Sequence, residues 1–224
     1  PWPGRGPAGA PPHPAAAPAD FHTADFDTSS WETTAVPGCW QLQPDLTIKG
    51  INKYDAPIYT NITYPFDISH LPRVPADDNP TGCYRTSFTV PDTWTGRQVF
   101  ILFEGVDSAF HLWINGQAVG FSKESRVPAE FNITPYLQAG ENILAAKVYR
   151  WSDGSYLEDQ DFWRMSGIYR DVYLWSAPTV HVRDFTVRTR LDANYQDALF
   201  HVQAQVRNYS SELVSSYQLS VQLY

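Results

Sequence analysis

Residues 109–122, AFHLWINGQAVGFS, carry two interleaved sets of side chains on either side of an Asn-Gly pair at 115–116. A period of two sends successive side chains to opposite faces of a strand. Asn-Gly supplies the two positive-φ positions that a type I′ turn needs. The stretch therefore predicts a β-hairpin, with Phe110 and Leu112 on one face and His111 and Trp113 on the other. A turn this short fixes the register, so the rest of the domain has to be built as sheet around it. Further strands are expected over CYRTSFTV (83–90), VFILFEGV (99–106), ENILAAKVYRW (141–151) and IYRDVYLWS (168–176). EFNITPYL (130–137) reads as one short helical turn capping an end. Short strands punctuated by 18 prolines and 13 glycines point to an all-β sandwich or jelly roll.

At Ala177-Pro178 the texture changes. VHVRDFTVRTRL (180–191), ALFHVQAQVRNYS (198–210) and YQLSVQLY (217–224) are longer, strictly alternating and poorer in aromatics. In the second, Phe200, Val202, Ala204 and Val206 share a face opposite His201, Gln203, Gln205 and Arg207. We expect a jelly-roll domain over 24–177 and the amino-terminal part of an immunoglobulin-like sandwich over 178–224. Residues 1–23 are expected to be a disordered Pro/Ala-rich segment, with seven prolines and five alanines in the first 18 positions. That segment has neither the basic start nor the apolar stretch of a signal peptide. The chain reads as a fragment, cut at both ends.

Charge and cysteine content narrow the function classes. A net charge of −8 and a pI near 5.1 argue against a nucleic-acid partner, because no basic patch exists to release counterions. No apolar run reaches the roughly 18 residues of a membrane-spanning helix. Cys39 and Cys83 allow one disulfide but no framework, and are expected to be buried free thiols in a reduced compartment. The six histidines show no metal-ligand spacing, and no nucleophile elbow or phosphate-binding glycine loop is present. Asn61, Asn132 and Asn208 head glycosylation triplets, which matter only in a secreted protein.

Two stretches carry chemistry. RWSDGSYLEDQDFWRMSGIYRDV (150–172) sets Asp153, Glu158, Asp159 and Asp161 among five aromatic rings. Such a loop can be a pair of glycosidase carboxylates, a hard-cation site, or a sugar-recognition surface in which rings pack on C–H patches. The plain alternative is an acidic turn pinned by Arg150, Arg164 and Arg170 through surface ion pairs. In GINKYDAPIYTNITYPF (50–66), Pro57 and Pro65 bracket a segment holding Tyr54, Asp55, Tyr59, Asn61 and Tyr64. Paired prolines favour a shaped loop over a central strand. Asn61 within it can face a ligand or bond its own backbone.

Taken together, YDAPIYTNITYPF, NPTGCY (79–84), SAFHLWINGQAVGFSKESRVPAEFNIT (108–134), AGEN (139–142) and RWSDGSYLEDQDFWRMSGIYRDVYL (150–174) resemble, in order, the amino-terminal part of the large bacterial β-galactosidases of glycoside hydrolase family 2. The likeness runs from about Trp31 to Pro178. YDAPIYTN and DQDFWRMSGI set it apart from the β-glucuronidases and β-mannosidases. The resemblance implies a galactose-binding-like jelly roll, an immunoglobulin-like domain, and then a (β/α)₈ barrel with both catalytic glutamates and a magnesium ion. The barrel is absent from these 224 residues, so no catalytic residue is expected in this chain. The resemblance implies that Asn61 and Asp161 contact the galactosyl group and that Asp161 also ligates sodium. Glu158 and Asp159 have no implied role. Trp151, Phe162 and Trp163 are expected to hold the loop rigid. Partners implied are a β-galactoside, the carboxy-terminal barrel and further copies of the full-length chain. A glycan on Asn61 would block the sugar, which favours a cytoplasmic setting. The rival reading is a stand-alone carbohydrate-binding module. Residues 43–49, QPDLTIK, read as an insertion, and the Pro/Ala-rich start departs from the family's usual amino terminus.

Overall fold

The computed structural model describes residues 9–10, 17–42, 47–48, 51–52, 54–60, 63–158 and 160–222. Most of the Pro/Ala-rich start and much of the QPDLTIK stretch therefore lie outside the described residues. In chain order the strands are β1 (Gly9–Ala10), β2 (Thr47–Ile48), β3 (Ile51–Asn52), β4 (Ile58–Thr60), β5 (Thr81–Thr89), β6 (Gln98–Phe103), β7 (Val106–Asp107) and β8 (Ala109–Ile114). They continue as β9 (Gln117–Lys123), β10 (Ala129–Asn132), β11 (Glu141–Tyr149), β12 (Phe162–Arg164), β13 (Gly167–Ile168), β14 (Val172–Ala177), β15 (Val180–Leu191) and β16 (Ala198–Asn208). A single helical turn, α1, spans Gly154–Leu157. The chain divides into two compact units, Pro1–Pro91 with Phe100–Trp175, and Asp92–Val99 with Ser176–Tyr224.

The first unit is a β-sandwich. One sheet has the order β1-β5-β11-β8-β9 and the other β10-β6-β14. The predicted hairpin forms as β8 and β9. Asn115 and Gly116 sit at φ 50° and 78°, the left-handed pair that a type I′ turn requires. Phe110, Leu112 and Ile114 point inward and are buried, while His111 and Trp113 are only half-buried. Phe110 meets Phe103 of the opposite sheet at 4.7 Å and Phe131 at 5.9 Å between ring centroids. These contacts mark the interior between the layers. The expected helical turn appears as a 3₁₀ turn at Thr134–Tyr136, preceded by strand β10.

The outer face of the larger sheet is covered by residues that the sequence assigns to the linker. Phe21 is buried against Cys83 and Ala145, with Trp31 and Trp113 packed around it. Its ring lies 5.4 Å from that of Trp113, and His22 stacks on the same indole at 5.1 Å. Arg85, on the outward face of β5, donates to the carbonyls of Phe21, Thr23 and Ala24. One guanidinium thus satisfies three carbonyls of a segment without ladder bonds of its own. The stretch 17–23 is therefore part of the fold, which corrects its expected disorder. Neither cysteine is in a disulfide. Burial pushes the Cys39 thiol up to about 11 and the Cys83 thiol up to about 12, so neither is a thiolate at neutral pH.

In the second unit β15 and β16 form an antiparallel ladder with a register shift between Val182 and Asp184. Residues 217–222 form no strand, although their alternation predicts one. Period-two patterning marks a chain as fit for a sheet, but ladder bonds need a neighbouring strand.

Candidate functional site

The two chemistry-bearing stretches meet in a three-residue antiparallel ladder. Phe162 pairs with Thr60, Trp163 with Tyr59, and Arg164 with Ile58. Residues directly opposite share a face, and faces alternate along each strand. Tyr59 and Trp163 therefore lie on one face, together with the Asp161 position two residues before Trp163. Thr60, Phe162 and Arg164 lie on the other.

The outer face is open. Tyr59 is 52% and Trp163 55% exposed, and their rings sit 5.6 Å apart at a 49° tilt. The Tyr59 hydroxyl donates to Oδ1 of Asp161 at 2.5 Å. That bond holds the phenol above its ordinary pKa, because ionisation would lose a donor to a carboxylate and set two negative charges side by side. Oδ2 of Asp161 meets no donor among the described residues.

The inner face is closed. Arg164 donates its Nε to Thr60 Oγ1 at 2.9 Å. The buried Arg150 reaches across to pair with Asp55 and to donate to the carbonyls of Ala56 and Arg164. Phe162 borders a small cleft shared with Asp107, Arg126, Glu158 and Arg164. The Arg126 guanidinium lies over the Phe162 ring at 5.1 Å and the Tyr169 ring at 5.4 Å. It also pairs with Asp107 at 3.2 Å. Burial pushes the Asp107 carboxyl up to about 6; the Arg126 charge pulls it down, and the Glu158 charge raises it further. At Gly167 φ is +135°, and an added Cβ would lie 2.7 Å from the Gly38 carbonyl oxygen. The chain therefore turns from β12 into β13 at a position closed to other residues.

Three acids of the 150–172 stretch, Asp153, Glu158 and Asp161, have separate partners. Asp153 pairs with Lys123 at 2.5 Å, which holds its carboxyl below the usual range. Both side chains are about half exposed, so the pair contributes ~0–1 kcal/mol. The Glu158 carboxylate accepts from the Ser125 amide at 2.7 Å and its hydroxyl at 2.6 Å. Asp161 takes the Tyr59 hydroxyl. The plain expectation of a loop pinned by arginines is thereby revised. Arg150 serves Asp55, while Arg170 donates to the carbonyls of Glu104 and Arg126. Trp151 is buried and Phe162 half-buried, as a rigid loop needs, but Trp163 is mostly exposed. Asn61 and Asp159 lie outside the described residues; Asn61 directly follows Thr60 in the chain. Sequence reasoning gave Tyr59 no role, since its bond to Asp161 spans 102 residues.

Residues 10–178 match the family described as glycosyl hydrolases family 2, sugar binding domain. The chain belongs to glycosyl hydrolase family 2. It is 51% identical over 200 residues to a Vibrio cholerae protein named β-galactosidase, covering 89% of this chain and 18% of that one. A Priestia megaterium protein of the same name is 48% identical over 208 residues, covering 92% and 19%. The family 2 chain thus spans roughly a fifth of the length of these curated relatives. Among solved structures, a β-glycosidase from Bacteroides vulgatus superposes with a TM-score of 0.63 at 27% identity, covering 88% of this chain and 23% of that one. A Bacteroides uniformis β-glucuronidase gives 0.67 at 23% identity, covering 88% and 21%, a likeness of fold alone.

Toward a sodium ion, the family 2 ladder offers one exposed, hard carboxylate oxygen on Asp161, which suits such a cation as a single ligand. Among the described residues, no group of three or more His, Cys, Asp or Glu gathers at one point. Any ion held here would complete its coordination with other oxygens.

Proposed function

We propose that this chain forms the sugar-binding portion of a β-galactosidase. The complete protein hydrolyses terminal non-reducing β-D-galactosyl residues with retention, through a covalent galactosyl intermediate. Asp161 and Asn61 contact the galactosyl group, and Asp161 also ligates sodium. The observation that carries the reading is the 48–51% identity to proteins named β-galactosidase over about nine-tenths of this chain. The open outer face of β4–β12 agrees with it. An exposed carboxylate with one oxygen uncommitted can accept a proton from a sugar hydroxyl. Glu158, wholly engaged with Ser125, is not placed for acid–base work. Both catalytic glutamates and a magnesium ion belong to a barrel outside this chain, and the complete protein acts in the cytoplasm as an oligomer.

The test is Asp161→Asn in the complete enzyme, assayed on a β-galactoside with and without sodium. A lost hydrogen bond to a charged group predicts a fall in kcat/KM of roughly 10- to 100-fold. Sodium activation should weaken with it. Unchanged KM and unchanged sodium response would overturn the assignment. Calorimetry with galactose on the 224-residue chain separates the rival reading, since a Kd below millimolar would favour a stand-alone binding module.

A further inference from the structure

We propose that Tyr59 is a positioning residue for Asp161: its hydroxyl claims Oδ1 and so aims Oδ2 at the ligand. The inference rests on the reading of Asp161 as a sugar and sodium contact, and it adds a residue to which the family resemblance gives no role.

Three observations converge. The first is the 2.5 Å bond from Tyr59 Oη to Asp161 Oδ1, which spans 102 residues of sequence. The second is the register that places Tyr59 opposite Trp163, so that the two rings lie side by side with centroids 5.6 Å apart. The third is that Asp161 is exposed at the end of a three-residue ladder, with no other side-chain hydrogen bond among the described residues. An exposed aspartate side chain so placed would sample several rotamers in water, and a ligand would have to fix one of them. Immobilising a mobile side chain on binding costs about 2- to 10-fold in affinity. The tyrosine meets that cost in advance. A phenol has one hydrogen to donate, so once it is committed to Oδ1 the hydroxyl offers only lone pairs to its other side. Oδ2 is left as the oxygen that can take a sugar hydroxyl or a cation. With about half of its surface in water, Tyr59 has little packing to lose.

The test is Tyr59→Phe in the complete enzyme, which keeps the ring and removes only the donor. KM for a β-galactoside and the sodium concentration for half-activation should each rise about 2- to 10-fold, with kcat changing less. A second readout does not need turnover. The rise in melting temperature that sodium chloride gives over choline chloride should shrink in Tyr59→Phe, while the melting temperature in choline is unmoved. In the double variant with Asp161→Asn, the tyrosine substitution should add no further penalty. A penalty that persists in the Asp161→Asn background would overturn the inference, as would a Tyr59→Phe enzyme with wild-type KM and sodium response. If instead Asp161→Asn alone is silent, the reading of Asp161 fails, and the inference fails with it.

Discussion

The two faces of the β4–β12 ladder have the same backbone and the same register, yet little else in common. On the inner face Arg164 is buried and bonded to Thr60, Arg150 stitches residues 55 and 56 to the Arg164 carbonyl, and Phe162 lies under the Arg126 guanidinium. On the outer face two rings stand half in water beside a single carboxylate. A period of two is enough to produce both, because every step along a strand changes face. The contrast teaches that one short ladder can present a packed side and an open side, and on the proposed function the open side is the one that binds. Substitutions on the inner side should move stability, and those on the outer side should move ligand affinity with stability unchanged.

The hardest way to break that division is at Arg150. Its side chain is 2% exposed and carries the pair with Asp55. Burial lowers its pKa to about 10, so it stays charged at neutral pH. Arg150→Met removes the buried partner of the pair, takes the guanidinium from two carbonyls, and leaves Asp55 only the Ala56 amide at 2.8 Å and the Gln41 amide at 3.4 Å. The expected loss is about 3–5 kcal/mol, or on the order of 10 °C in Tm for a domain of this size. Thermal unfolding followed by circular dichroism checks it. A loss below about 1 kcal/mol would mean that the inner face does not hold the ladder together.

Asp107 gives the next largest effect, seen as a pH slope. Its carboxyl rises from an ordinary 3.8 to about 6 in the fold, so the folded chain binds the proton more tightly than the unfolded one. Stability from this group is greatest below about pH 4 and declines as pH rises through 6. The raised value corresponds to at most about 3 kcal/mol across that window. Asp107→Asn should flatten the dependence of unfolding free energy on pH between about 4 and 6. Denaturant titrations at several pH values would show it, and an unchanged slope would place the titration elsewhere. With sugar binding assigned to the outer face, as proposed above, KM should keep its own pH profile.

How much of this was legible in the sequence depends on how local the determining physics is. The hairpin at 109–123 could be read because Asn115-Gly116 and its flanking alternation sit within one short window. The fold class followed from the same signals repeated along the chain. The burial of Phe21 was not legible, since it depends on Cys83, Trp113 and Arg85, more than sixty positions away. A proline-rich neighbourhood spoke for disorder there, and tertiary packing prevailed. Strand-like alternation at 217–222 failed for the converse reason: the pattern was present without a paired neighbour. Asp161 was reached through family resemblance, because four acids in one loop are chemically alike on paper. What distinguishes the three described ones is each acid's partner. Lys123 lies 30 residues from Asp153, Ser125 33 from Glu158, and Tyr59 102 from Asp161. No local window contains any of these pairs.

The smallest expected effect tests the division most finely, at Glu158, an acid of the loop that is neither buried deep nor open. Glu158 is held by the Ser125 amide and hydroxyl. Ser125 itself is fully buried, and its carbonyl accepts from the Tyr169 hydroxyl. Ser125→Ala deletes the hydroxyl bond but leaves the amide bond in place, so Glu158 keeps one partner. The expected cost is about 1–2 kcal/mol, visible as a lower urea midpoint with an unchanged m-value. Because Glu158 lies three residues before Asp161, a loop that moved as one body would carry the change to the outer face and raise KM. Separate anchoring of the two acids, at Ser125 and at Tyr59, predicts instead that KM and the sodium response stay at wild-type values while the midpoint falls.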